Sequence, residues 1–97
     1  MRSAKRVTRG NVLADLGFGE QEVLALELKM ELVNGIVRLA RQRRYSSRQL
    51  ERLWDVPQPR VSEIMRGKVA GVSVRRLLWY IGKLGGSATT KVRGVAA

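Results

Sequence analysis

The sequence predicts an all-α domain of four to five helices, and three observations carry that prediction. Apolar residues recur at helical spacing over most of the chain. Serines that suit helix N-caps (Ser46, Ser73) and glycines that suit helix ends (Gly67, Gly85) punctuate those runs. Third, 44% of the 97 residues are apolar, enough for one small core, while cysteine and histidine are both absent. Their absence removes disulfides, zinc fingers, Cys/His nucleophile pairs and imidazole acid–base chemistry together. A domain this small is commonly reinforced by self-association once those supports are gone, so a dimer is expected.

Residues 1–19 read as a partly disordered N-terminal extension, basic to residue 10 and then interrupted by Gly17 and Gly19. The first strong helix begins near Glu20. Val23, Leu26, Met30, Val33, Val37 and Ala40 form one stripe, and Leu24, Leu28, Leu32, Ile36 and Leu39 a second beside it. Glu20 and Glu22 in the opening turn and Arg41, Arg43 and Arg44 in the closing turn match the helix dipole. At about 36 Å for two dozen residues, this helix exceeds what a small core needs, so part of it is expected to pack on something further. Gly35 inside it implies either close packing against another helix or a break near Asn34.

A second helix runs from about Ser47 to Trp54, with Ser46 as N-cap and Gln49 completing a capping box. Asp55-Val56-Pro57 turns the chain. A third helix starts at Gln58 or Pro59, with Gln58 itself a candidate N-cap, and stops at Gly67. A fourth follows Ser73, its Val74, Leu77, Leu78, Ile81 and Leu84 on one face, and closes at Gly85-Gly86. These bounds give a domain at 20–85 with a motif at 46–67. The tail, 86–97, has some strand propensity around Ala88 to Val92. Trp54 and Trp79 both fall at core spacing and are expected to pack inside.

The formal charge of +11 is one-sided. Residues 1–37 carry five Lys/Arg against five Asp/Glu, whereas residues 38–97 carry fourteen against three. Such a surplus favours a polyanionic partner, because each neutralised phosphate releases condensed counterions. Two short helices joined by a three-residue turn are the geometry that lays the second helix in a major groove. Leu50, Leu53, Val56, Val61 and Ile64 would lock the pair, leaving Gln58, Pro59, Arg60, Ser62, Glu63 and Arg66 outward. Gln suits adenine, Arg suits guanine and Glu accepts from cytosine, so Gln58, Pro59, Arg60, Ser62 and Glu63 are the expected base readers. Ser46, Ser47, Arg48, Arg66, Lys68 and Arg75 are the expected phosphate contacts, with Arg76 beside them.

Tyr45 to Lys68 (YSSRQLERLWDVPQPRVSEIMRGK) resembles, without a gap, the helix-turn-helix of the XRE/Cro-type repressors. Val56, Gln58, Val61, Ser62, Ile64 and Gly67 stand at the pattern's places. Ser46-Ser47, Leu50-Glu51, Asp55 and Pro57 depart from its Thr-Gln, paired alanines, glycine and Ser/Thr. The resemblance implies a lambda-repressor-like fold, base contacts from Gln58, Pro59 and Glu63 with Arg60 nearby, and phosphate contacts from Ser46 and Ser47. Over most of the chain, NVLADLGF, QPRVSEIMRGK and SVRRLLWYIGKLGG resemble the HigA-like antitoxins. That implies a homodimeric autorepressor on a pseudo-palindromic operator, its tail strand pairing across the dimer, and a RelE/HigB-like toxin as partner.

Rival readings stay open at this point. They are a stand-alone regulator without a toxin, a chiefly toxin-neutralising module acting through residues 1–37, and a general nucleic-acid binder using charge alone. An enzyme is not expected: Glu27 and Glu31 form no clustered acid site, and Gly17 and Gly19 lack the strand and Lys-Ser/Thr of a phosphate loop. No cofactor, metal or membrane span is expected, and the lack of cysteine fits the cytoplasm.

Overall fold

The computed structural model describes residues 19–94, and within them the chain forms four α-helices and no strand. They are α1 (Glu20–Gln42), α2 (Ser47–Trp54), α3 (Gln58–Met65) and α4 (Val74–Lys83). Of the extension expected at 1–19, residues 1–18 lie outside the described residues, as do the last three residues of the chain.

Helix α1 packs along α4, and α2 packs on α3, with α1 also touching α3 and α2 touching α4. One cluster fills the space between them: Val33, Ile36 and Ala40 from α1, Leu50 and Trp54 from α2, Val61 and Ile64 from α3, and Leu77, Tyr80 and Ile81 from α4. Val69, Val72 and Leu84 close it from the connections. Neither of the two stripes on α1 is the core face as a whole. The buried residues are Val23, Val33 and Ala40 from one and Ile36 from the other, so the true contact runs between them. Toward its start the helix leaves the cluster: Val23 is buried apart from it, Leu24 is exposed, and Leu26 and Leu28 are half-buried.

Trp54 is the centre of the assembly. Its ring is fully buried, 4.9 Å from the ring of Tyr80, and its Nε1–H donates to the Tyr80 carbonyl at 3.3 Å. The indole thus satisfies its single polar group inside an apolar core, the condition for burying tryptophan without loss.

Every helix ends on a residue with positive φ: Arg44 (57°), Asp55 (54°), Gly67 (81°) and Gly85 (78°). After each, the next amide reaches back to a carbonyl five residues earlier. These are Tyr45 to Ala40 at 3.1 Å, Val56 to Glu51 at 3.1 Å, Lys68 to Glu63 at 2.8 Å and Gly86 to Ile81 at 3.0 Å. This is the Schellman arrangement, which satisfies carbonyls that the helix leaves open. Arg43 adds a clasp at the base of the fold, its Nη1 donating to the Leu84 carbonyl at 2.6 Å.

Residues 87–94 form no strand within the single chain, where an extended segment has no neighbour to take its amides and carbonyls; the strand expected there was one that pairs across a dimer. Three expectations are corrected. Pro57, and not Gln58, is the N-cap of α3, with Gln58 and Pro59 filling its first two positions. Helix α1 runs unbroken past Asn34, and a Cβ at Gly35 would meet only the Arg38 side chain at 3.9 Å, so neither explanation of Gly35 holds within the chain. Trp79 is 38% exposed, since it stands one residue before Tyr80, about 100° of rotation away from the buried line Leu77–Tyr80–Ile81 of α4.

Arg44 sits in the left-handed region without the local hydrogen bonding available to Asp or Asn. Arg44→Gly removes that conflict at some cost in chain entropy. A net gain of about 0.5–1 kcal/mol is expected as a rise in the urea midpoint at unchanged slope. A lower midpoint would mean that the turn is not strained.

Candidate nucleic-acid interface

The start of α2 is built by two reciprocal bonds. The Gln49 amide donates to Ser46 Oγ at 3.1 Å, and the Ser46 amide donates to Gln49 Oε1 at 2.8 Å. The Ser46 hydroxyl therefore accepts inward and keeps its own O–H for a group outside. Ser47 and Arg48 are exposed beside it, at the positive end of the helix.

Helix α3 begins on Pro57, which offers no side-chain cap but accepts through its carbonyl from Arg60 at 3.0 Å and Val61 at 3.2 Å. Pro57 and Pro59 fix φ on either side of Gln58, so the first turn is stiff before anything binds to it. Gln58, Pro59 and Arg60 are exposed. Arg60 Nη1 lies 3.7 Å from Glu63 Oε1, one turn on, and both side chains are 46% accessible. An exposed pair of this kind contributes 0–1 kcal/mol, so it orients the guanidinium without locking it.

The outward set is narrower than the sequence pattern implies. Ser62 and Glu63 are half-buried as whole residues, because Val61, Ile64 and Met65 bring the packed side of a two-turn helix close to both flanks, although the Glu63 side chain is as accessible as that of Arg60. Arg66 is exposed, and its Nε donates to the Ser62 carbonyl at 3.4 Å. Lys68 and Arg75 are exposed as well, one after the Gly67 turn and one in the first turn of α4.

A cleft of about 620 Å³ separates the α2–α3 turn from α4. Asp55, Val56 and Arg60 line one wall, and Gly71, Ser73, Arg76 and Trp79 the other. Sequence reasoning missed Trp79 as a surface group, and its neighbours Arg76 and Lys83, three before and four after, were the available signal.

Two short helices, a tight turn and a stiff, outward first turn on the second define a helix-turn-helix DNA-binding protein. The comparison with known families agrees: the model of a helix-turn-helix domain family matches residues 12–93, and the chain belongs to that family. It is a DNA-binding regulator by class. No curated protein matches the chain, and no solved structure does. None of the described helices is long and apolar enough to cross a membrane.

Ser46→Ala deletes the acceptor for the Gln49 amide and should lower stability by about 1 kcal/mol. Ser46→Asp restores an acceptor, so its thermal midpoint should return to near that of the wild type. Equal losses in both variants would show that the cap contributes little.

Proposed function

We propose that the chain is a homodimeric, sequence-specific transcriptional repressor of the cytoplasm, the antitoxin and autorepressor of a toxin–antitoxin operon. The observation that carries the repressor reading is the proline-bracketed first turn of α3, which holds Gln58, Pro59 and Arg60 outward. In this reading Gln58, Pro59, Arg60, Ser62 and Glu63 meet base edges, with Ser62 and Glu63 reaching only from the flank. Ser46, Ser47, Arg48, Arg66, Lys68 and Arg75 hold the phosphates. Two copies then place their α3 helices in major grooves about 34 Å apart on a pseudo-palindrome. The resemblance of the chain to HigA-like antitoxins supports the operon assignment.

The toxin-binding part rests on a different observation. The N-terminal half of α1 carries Glu20, Glu22, Glu27 and Glu31 beside exposed Leu24 and half-buried Leu26 and Leu28. An acidic, leucine-bearing surface on an otherwise basic chain complements a small basic ribonuclease. Expression together with the product of the neighbouring gene, followed by purification on one tag, tests it. Recovery of the chain alone leaves a stand-alone regulator.

The DNA part separates into two substitutions. Arg60→Ala should reduce preference for the operator over unrelated duplexes by about 1–3 kcal/mol, read by competition binding at fixed salt. Lys68→Ala should weaken all duplexes alike and lower the salt slope by about 0.9. Unchanged operator preference in Arg60→Ala would remove that residue from the reading set. No preference in the wild type at matched salt would favour a binder that uses charge alone.

A further inference from the structure

Trp79 is an exposed aromatic residue that the core does not need, and two cations flank it. Arg76 Cζ and Lys83 Nζ each lie 5.3 Å from the centroid of its ring, on the preceding and following turns of α4. Contact with an aromatic face aligns a cation but does not neutralise it. Asp55 stands on the opposite wall of the same cleft but makes no ion pair with Arg76 within 4 Å, and after Glu63 the chain holds seven Lys/Arg and no Asp or Glu. The ring also packs edge-on against Tyr80, with centroids 5.7 Å apart, and Tyr80 is held under Trp54. The position of the indole is therefore tied to the core that sets the α2–α3 pair. Across the cleft from Arg76 and Trp79 stands Arg60.

We propose that Arg76, Trp79 and Lys83 form a second phosphate-backbone contact, extending the DNA footprint from α3 across the cleft onto the outer face of α4. The inference rests on the chain binding DNA and adds to it a backbone segment beyond the bases read by α3. Arg76 and Lys83 supply the charge. Trp79 is a positioning residue that spaces and aligns them, and its Nε1–H is available to donate to a phosphate oxygen. A second copy of the chain fits this face poorly. A two-fold interface sets the same patch against itself, and here that brings Arg76 and Lys83 against Arg76 and Lys83. A polyanion suits the same charges.

The test uses the full chain and a mixed-sequence duplex of about three helical turns, since a backbone contact needs no operator. Arg76→Ala/Lys83→Ala should lower the slope of log affinity against log salt by about 1.8, at about 0.9 per phosphate released. Trp79→Ala should weaken binding severalfold, and Trp79→Phe, which keeps an aromatic face, should recover most of it. Because Trp54 is buried, acrylamide quenching reports Trp79, and adding duplex should reduce it. An unchanged slope in the double variant and undiminished quenching, with Lys68→Ala still lowering the slope, would end the footprint before α4 and overturn the proposal. Trp79→Ala splitting a dimer in sedimentation, with its salt slope unchanged, would make this face a contact between copies and overturn it equally. If the wild type bound no duplex even at low salt, the DNA-binding reading itself would fail, an outcome distinct from both.

Discussion

The Trp54 indole is the contact on which the rest of the arrangement depends. It ends α2, fills the middle of the core, and hands its one N–H to the Tyr80 carbonyl of α4. A helix-turn-helix pair is small enough that its two helices bury little against each other. Leu50, Val61 and Ile64 set their mutual angle, but the pair needs a larger body behind it to be rigid. Trp54 supplies that connection through shape and through a hydrogen bond that no aliphatic residue makes. The same connection explains the departure from paired small residues at the motif's first helix: a bulky junction here replaces close approach of two backbones.

Rigidity at the helix ends comes from backbone geometry. All four helices stop through a left-handed residue followed by a long backward hydrogen bond, so each connection leaves its helix in a defined direction. Gly67 and Gly85 do this without steric cost. Asp55 does it with the tolerance that aspartate has for this region, and Arg44 against its intrinsic preference, at the two connections that flank α2. The conformation persists there because the surrounding packing decides it. Tyr45 is half-buried after one of these residues and Val56 after the other, and each anchors the chain just beyond the turn.

This pattern also shows what sequence can and cannot convey. The Ser46–Gln49 capping box, the Ser73 cap, the bounds of α2 and the glycine stops were all legible, because each is a local interaction with a residue-specific signature. The left-handed turn at Arg44 was not, since arginine announces none, and the only signal at Asp55 was that it stands where the motif has glycine. Helical period placed Trp79 within reach of the core, but one residue of rotation, about 100°, separates inside from outside on a ten-residue helix. The tail's β-branched residues favour extension, yet extension becomes a strand only beside a partner, and among the described residues there is none. Of the reading surface, Gln58, Pro59 and Arg60 were legible as outward residues. Ser62 and Glu63 were less so, because how far a flank is covered depends on the neighbouring helix.

Charge gives this architecture its direction. The chain after Glu63 has seven cations and no acid, and the first half of α1 concentrates the acids, so these two segments prefer opposite partners. In a compact domain, such segregation is costly unless each surface meets its complement, because like charges held on one face repel one another. Arg60 is the exception on the basic side, with Glu63 3.7 Å away. That pairing has a consequence for selectivity. A guanidinium already aligned by a weak, exposed carboxylate has less freedom to lose on meeting a base edge, while the carboxylate itself opposes unselective capture of phosphate. In the proposed reading, an arginine that makes no such pair, as at position 48 or 66, is drawn to any nearby phosphate alike. The proposed division between reading bases and holding the backbone then follows which arginine is paired with an acid, and that arginine is Arg60.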